Sequence, residues 1–138
     1  SHPRLGLIDS RPEHAMQSMT REEMEAEFGR PGVENANIVD LVTVDVVTNA
    51  VLLVMFERRK WGASERQFGE IEEKINRYLG YVLDGYFARD YPQYVGKMVE
   101  IRLECAETPH GEAERFITAA RQAITNHGID FGLTVEAR

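Results

Sequence analysis

KMVEIRLECAETPHGEAERFITAARQAITNHGIDFGLTVEA, residues 97–137, runs through three hydrophobic rhythms in succession. From Lys97 to Cys105 the residues alternate, with Val99, Ile101, Leu103 and Cys105 on one side and Met98, Glu100, Arg102 and Glu104 on the other. That is the period of a strand with one dry face. Ala113, Phe116, Ile117, Ala120 and Ile124 then step by three and four, the stripe of a helix. Thr108 is its expected N-cap, with Pro109 at the first helical position and Gly128 just beyond the end. Ile129 to Ala137 alternates again, with Ile129, Phe131, Leu133 and Val135 inward. Strand, helix and strand in this order predict a right-handed parallel βαβ unit.

Upstream, Ser64 followed by Gln67 predicts the start of a long helix reaching about Phe87. Its apolar stripe includes Phe68, Ile71, Ile75, Tyr78, Leu79 and Val82, with Glu70, Glu72, Glu73, Lys74 and Arg77 assigned to the wet side. Before it, Val39 to Val47 and Ala50 to Glu57 read as a β-hairpin turning at Thr48-Asn49. The order is ββαβαβ. The expected class is α+β, a two-layer α/β sandwich. It has a four-stranded mixed sheet with two helices on one face, plus an N-terminal helical arm.

Residues 1–36 read as that arm, and residues 37–138 as a single domain. The arm holds three of the five prolines and few large apolar residues. Thr20 and Glu23 form a capping box for a short helix near 20–28, which puts Met24 and Phe28 on one face. A helix of two turns needs something to dock on. The hairpin strands are apolar on both faces, so something must cover the second one. The arm helix, through Met24 and Phe28, or a second copy meeting Val42, Val44 and Val46 is expected there.

The chain has 138 residues with 43% apolar and 28% charged, an ordinary globular mixture. Its formal charge is −7, from 23 acids and 16 bases. Residues 1–36 contribute −3 of this (four bases, seven acids), and the remainder −4 (twelve bases, sixteen acids). An acidic chain is a poor partner for phosphate backbones, so nucleic acid is not expected. The longest apolar run, Ala50 to Phe56, has seven residues, too few to span a membrane. One cysteine, Cys105, makes no internal disulfide and no cysteine-based zinc site. With no signal-like N-terminus, the expected location is the cytoplasm.

Chemistry-bearing motifs are sparse. Dinucleotide, phosphate-loop, nucleophile-elbow and HExxH signatures are missing from the chain. His110 and Glu114 have helix-face spacing but lack a third ligand, so no metal and no cofactor are expected. Cys105 falls on an inward strand face beside Glu104 and Glu107, as a structural thiol does. The pairs Glu70/Glu73 and Glu112/Glu114 read as solvated helix faces. Arg58-Arg59-Lys60-Trp61 is the candidate binding cluster, with three bases and a stacking ring just before a helix start. Alternatively, Trp61 caps the core edge while the bases pair with acids. Tyr91 and Tyr94, with Tyr86 and Phe87, form an aromatic corner that either closes the core or lines a ligand site.

Trp61, then Glu73-Lys74-Ile75-Asn76, Tyr78-Leu79, Asp84-Gly85, Tyr91-Pro92 and Gly96-Lys97 form a spaced pattern. The pattern resembles a bacterial domain family of unknown function, over about Asn37 to Arg138. Arg58-Arg59-Lys60 departs from the more polar or acidic stretch expected there. The resemblance implies a compact α/β domain and no catalytic residues. The first functional expectation is a non-enzymatic binding or protein-interaction module, as a homodimer or with a protein partner. The others are a small acidic immunity-type inhibitor of a basic toxin, and a small-anion sensor or enzyme using Arg58 to Trp61.

Overall fold

In a computed structural model of the chain, residues 6–9, 20, 22–23 and 29–136 are described. Five strands form one sheet in the order β1-β2-β3-β4-β5: β1 Gly6–Asp9, β2 Ile38–Val44, β3 Val51–Glu57, β4 Val99–Cys105 and β5 Asp130–Val135. The β2–β3 pair is antiparallel, and β1–β2, β3–β4 and β4–β5 are parallel. Helix α1 (Gln67–Leu83) connects β3 to β4, and α3 (Glu112–Thr125) connects β4 to β5. A five-residue helix α2 (Tyr86–Asp90) and a 3-10 turn (Pro92–Tyr94) follow α1.

The four expected strands thus form the expected mixed sheet. The fifth, β1, falls in the N-terminal stretch for which only a helix was expected. The Thr20 capping box is present: the Glu23 amide donates to Thr20 Oγ1 at 3.1 Å and the Thr20 amide to the Glu23 carboxylate at 3.3 Å. Met24 and Phe28 lie outside the described residues.

One core cluster joins α1 (Ile71, Ile75, Tyr78), α3 (Ala113, Ile117, Ile124) and the strands (Val39, Leu53, Met55, Ile101, Leu103, Phe131). Both helices therefore cover the same sheet face. Alternate residues of β3 point the other way, and Ala50, Leu52 and Val54 form a second buried cluster with Leu41 and Phe56. The two-sided apolar hairpin accordingly buries both of its faces.

Three boundaries differ from expectation. Val46 and Val47 are not in β2. The Asp45 carboxylate accepts the Val47 and Thr48 amides, which turns the chain there and leaves both valines almost fully exposed. Those amide bonds also lower the Asp45 pKa, the Thr48 one most. Asn49 adopts the positive φ expected of the turn, at 66°. Ser64 does not box-cap α1; its Oγ accepts the Arg66 amide, and Gln67 turns inward. Thr108 does not cap α3 either. The helix starts at Glu112 after Gly111, whose φ of 57° and ψ of −124° suit a residue without a side chain.

The long helix also breaks where its irregular end was expected. Gly85 takes φ 87° between α1 and α2. The chain then turns through an aromatic cluster, Tyr81, Phe87, Tyr91 and Tyr94, with ring centroids 5.4–6.3 Å apart.

Candidate functional site

Lys74 was assigned to the wet side of α1, yet its side chain is fully buried. Its ammonium donates to Gly32 O at 2.7 Å, Asn35 O at 2.8 Å and Asp40 Oδ1 at 2.6 Å, using all three protons. Asp40 in turn accepts the Gly32 and Phe56 amides. The Tyr78 hydroxyl accepts the Asp40 amide and donates to Val54 O. The β2–β3 ladder stops at Leu41 opposite Val54, and these side chains sew the strands together beyond that point. They also clamp residues 31–37, a strap from which the Val33 amide reaches Phe56 O. Burial lowers the Lys74 pKa against the pull of Asp40, and burial raises the Tyr78 phenol well above its usual value.

A second buried acid, Glu57, ends β3. Arg59 grips it with Nε at 2.9 Å and Nη2 at 2.7 Å, and reaches Glu70 on α1 with Nη1 at 2.9 Å. The Glu57 bonds are the main reason the Arg59 pKa is raised. Arg58 donates to Pro31 O and lies over the Phe56 ring. Lys60 is exposed, while its carbonyl accepts a bond from Gln67. Trp61 is buried, its indole N–H donating to Glu107 O at 2.8 Å. Cys105 is buried near Glu57, and burial, reinforced by Glu57 and Glu104, pushes its thiol up to about 12.

The candidate residues are therefore spread out. Arg58, Arg59, Lys60 and Trp61 sit before α1. Tyr91 and Tyr94 are buried beyond its far end, about 25 Å away along a 17-residue helix. Val42 is in the core, Val44 is half-buried and Val46 is at the exposed turn.

A groove does form where β3 and β4 end. The two strands are parallel, so the loops leaving them, and the helices those loops start, emerge at one edge of the sheet. Between the first turns of α1 and α3 lies a half-open cleft of about 450 Å³. Trp61, Phe68 and His110 line it with Glu65, Gln67 and Glu112. Phe68 joins its wall to the core, 6.4 Å from Trp61 and stacked on Phe116 at 4.8 Å. Gln67 fixes the rim, accepting the Gly62 amide at 2.7 Å and donating to Lys60 O at 3.0 Å. Neither helix start has a side-chain cap bond, and both face the cleft. Trp61 was legible as a site residue. Phe68 read as core and His110 as a helix-face residue without enough metal ligands around it, because their meeting depends on two loops brought together by the parallel pair. The signal available was the repeated aromatic-Gly and His-Gly step, Trp61-Gly62 and His110-Gly111, after consecutive strands.

Among the described residues no cluster of three or more histidines, cysteines or acids is arranged to hold a metal ion, and no helix is long and apolar enough to cross a membrane. Residues 32–137 match the model of a family of unknown function, DUF6572. The match begins at Gly32, the strap residue that Lys74 and Asp40 both hold. No curated protein and no solved structure matches the chain.

Proposed function

We propose, for a chain that belongs to the DUF6572 family of unknown function, that it is a non-enzymatic binding module engaging a protein partner through the groove between α1 and α3. The observation that carries this reading is the groove itself. The cleft lies outside the carboxyl ends of β3 and β4, where the loops that start both helices come together. Its volume of about 450 Å³ suits one or two side chains of a partner, and Trp61 and Phe68 offer an aromatic wall. Two groups able to do covalent or proton-transfer chemistry are already engaged. The Cys105 thiol is buried and protonated, and the Lys74 ammonium spends all three protons inside the protein.

Trp61 is the single tryptophan of the chain, so its emission reports on the groove. Titration with a panel of short peptides bearing aromatic or aliphatic side chains should shift that emission, and Phe68→Ala should weaken the shift. Peptide binding that leaves Trp61 emission unchanged and is insensitive to Phe68→Ala would place the partner elsewhere. An anion site on Arg58, Arg59 and Lys60 draws less support, because the Arg59 guanidinium already faces Glu57 and Glu70.

A further inference from the structure

Glu65 lines the groove and also a second hollow of about 470 Å³ on the other side of the α1 start. Glu65 therefore stands on the rim of both. The second hollow lies between the strap and the outer face of α1, and Glu34, Glu65, Glu70 and Glu73 line it with Arg66. Glu112 adds a carboxylate at the far rim of the groove. Of these acids, Glu70 is occupied by Arg59, and Glu34 stands 3.9 Å from the same guanidinium. Glu65, Glu73 and Glu112 make no ion pair among the described residues and are exposed. An apolar slot and an acidic trough thus share the Glu65 rim, and Arg66 is the one base lining the trough.

The floor of the trough is Gly69. It lies inside α1, it is exposed, and a Cβ built on it would meet nothing within 4 Å. Gly69 stands in the first turn of α1, where glycine is still a poorer helix former than alanine, and no close packing requires it. A local rule broken without a structural return is what a surface kept bare for contact looks like.

We infer that the occupant is a basic, extended segment of a partner protein, an inference that rests on the groove reading above. One apolar side chain of the segment enters between Trp61 and Phe68. Lysines or arginines beyond it cross α1 over Gly69 toward Glu65, Glu73 and Glu34. Glu65, two residues before α1, and Glu73, within it, are eight residues apart, on the order of 12 Å at a helical rise. An extended chain covers that distance in about four residues. Anchor and cations therefore fit within six or seven residues. Charge complementarity selects this occupant: carboxylates strung along a helix attract several cations on one strand and repel phosphate backbones.

The test is a selection of random dodecapeptides displayed on phage against the full chain. Bound peptides should carry an aromatic or aliphatic residue followed within six positions by two or more lysines or arginines. The Glu65→Gln, Glu73→Gln double variant should lose about tenfold in affinity for a selected peptide, and the loss should shrink in high salt. Gly69→Met should block binding with the melting temperature kept or raised, which separates occlusion from unfolding. Peptides without excess basic residues, or binding indifferent to Glu65, Glu73 and Gly69, overturn the basic segment. If such binding still falls with Phe68→Ala, the groove reading stands alone. Binding indifferent to Phe68, or no enrichment over a blank surface, overturns both. Self-association that the double variant abolishes makes a second copy the occupant and overturns the inference as well.

Discussion

Lys74 stands three residues after Ile71 and four before Tyr78, in the middle of a buried stripe. A long cation there is tolerated because three oxygens surround it. Removing the ammonium leaves the Asp40 carboxylate inside without its counter-charge. Lys74→Met should therefore cost about 3–5 kcal/mol in urea unfolding. Adding Asp40→Asn should cost less than the two single changes together, because the neutral amide leaves no buried charge uncompensated, even though its single carbonyl oxygen keeps only one of the Gly32 and Phe56 bonds. At Cys105 the consequence lies in pH. The unfolded thiol ionises from about pH 9, while the folded one holds its proton to about 12. Folded chains then bind more protons than unfolded ones, so stability falls as pH rises through that window. Tyr78 acts in the same direction at higher pH, and Lys74 acts oppositely below its usual value. Both are shared by wild type and Cys105→Ala, so comparing the two isolates the thiol. The variant should show the shallower alkaline loss. A disulfide reagent at pH 8 should modify Cys105 only as fast as the core opens.

Among the elements, one glycine within α1 and one just past its end have opposite roles. Gly85 holds φ 87° at the junction with α2, and Gly85→Ala should destabilise by about 1–2 kcal/mol. Gly69 has ordinary helical geometry and open space around it, so Gly69→Ala should stabilise by about 0.5–1 kcal/mol, read as a rise of a few degrees in melting temperature. Strands and helices were legible wherever one face is dry: the alternation in β4 and the stripe of α3 agree with their burial. The errors fell where a side chain competes with the backbone pattern. Asp45 ends β2 before two valines that belong to a strand by composition alone. Lys74 looked solvated because charge outweighed its place in the period. The groove was half legible, since Trp61 announces itself in the chain while Phe68 and His110 acquire their position only when two parallel strands end together.

For the molecule as a whole, the strap ties the stretch before β2 into the core. Gly32 and Asn35 supply two of the Lys74 acceptors, and Val33 enters the core. A chain beginning at Gly29 should therefore melt well above one beginning at Asn37, as calorimetry on the pair would show. Equal melting temperatures would mean that the strap contributes nothing. The strap also carries Glu34, so the acidic trough takes its shape from contacts made in the interior. The sheet order has a different consequence. Every strand lies beside the one before it in the chain. No later strand has to be inserted between two that are already paired. As the chain leaves the ribosome, each new segment meets a finished edge to pair with, and the sheet grows from one side only. The last strand to join, β5, is the growing edge.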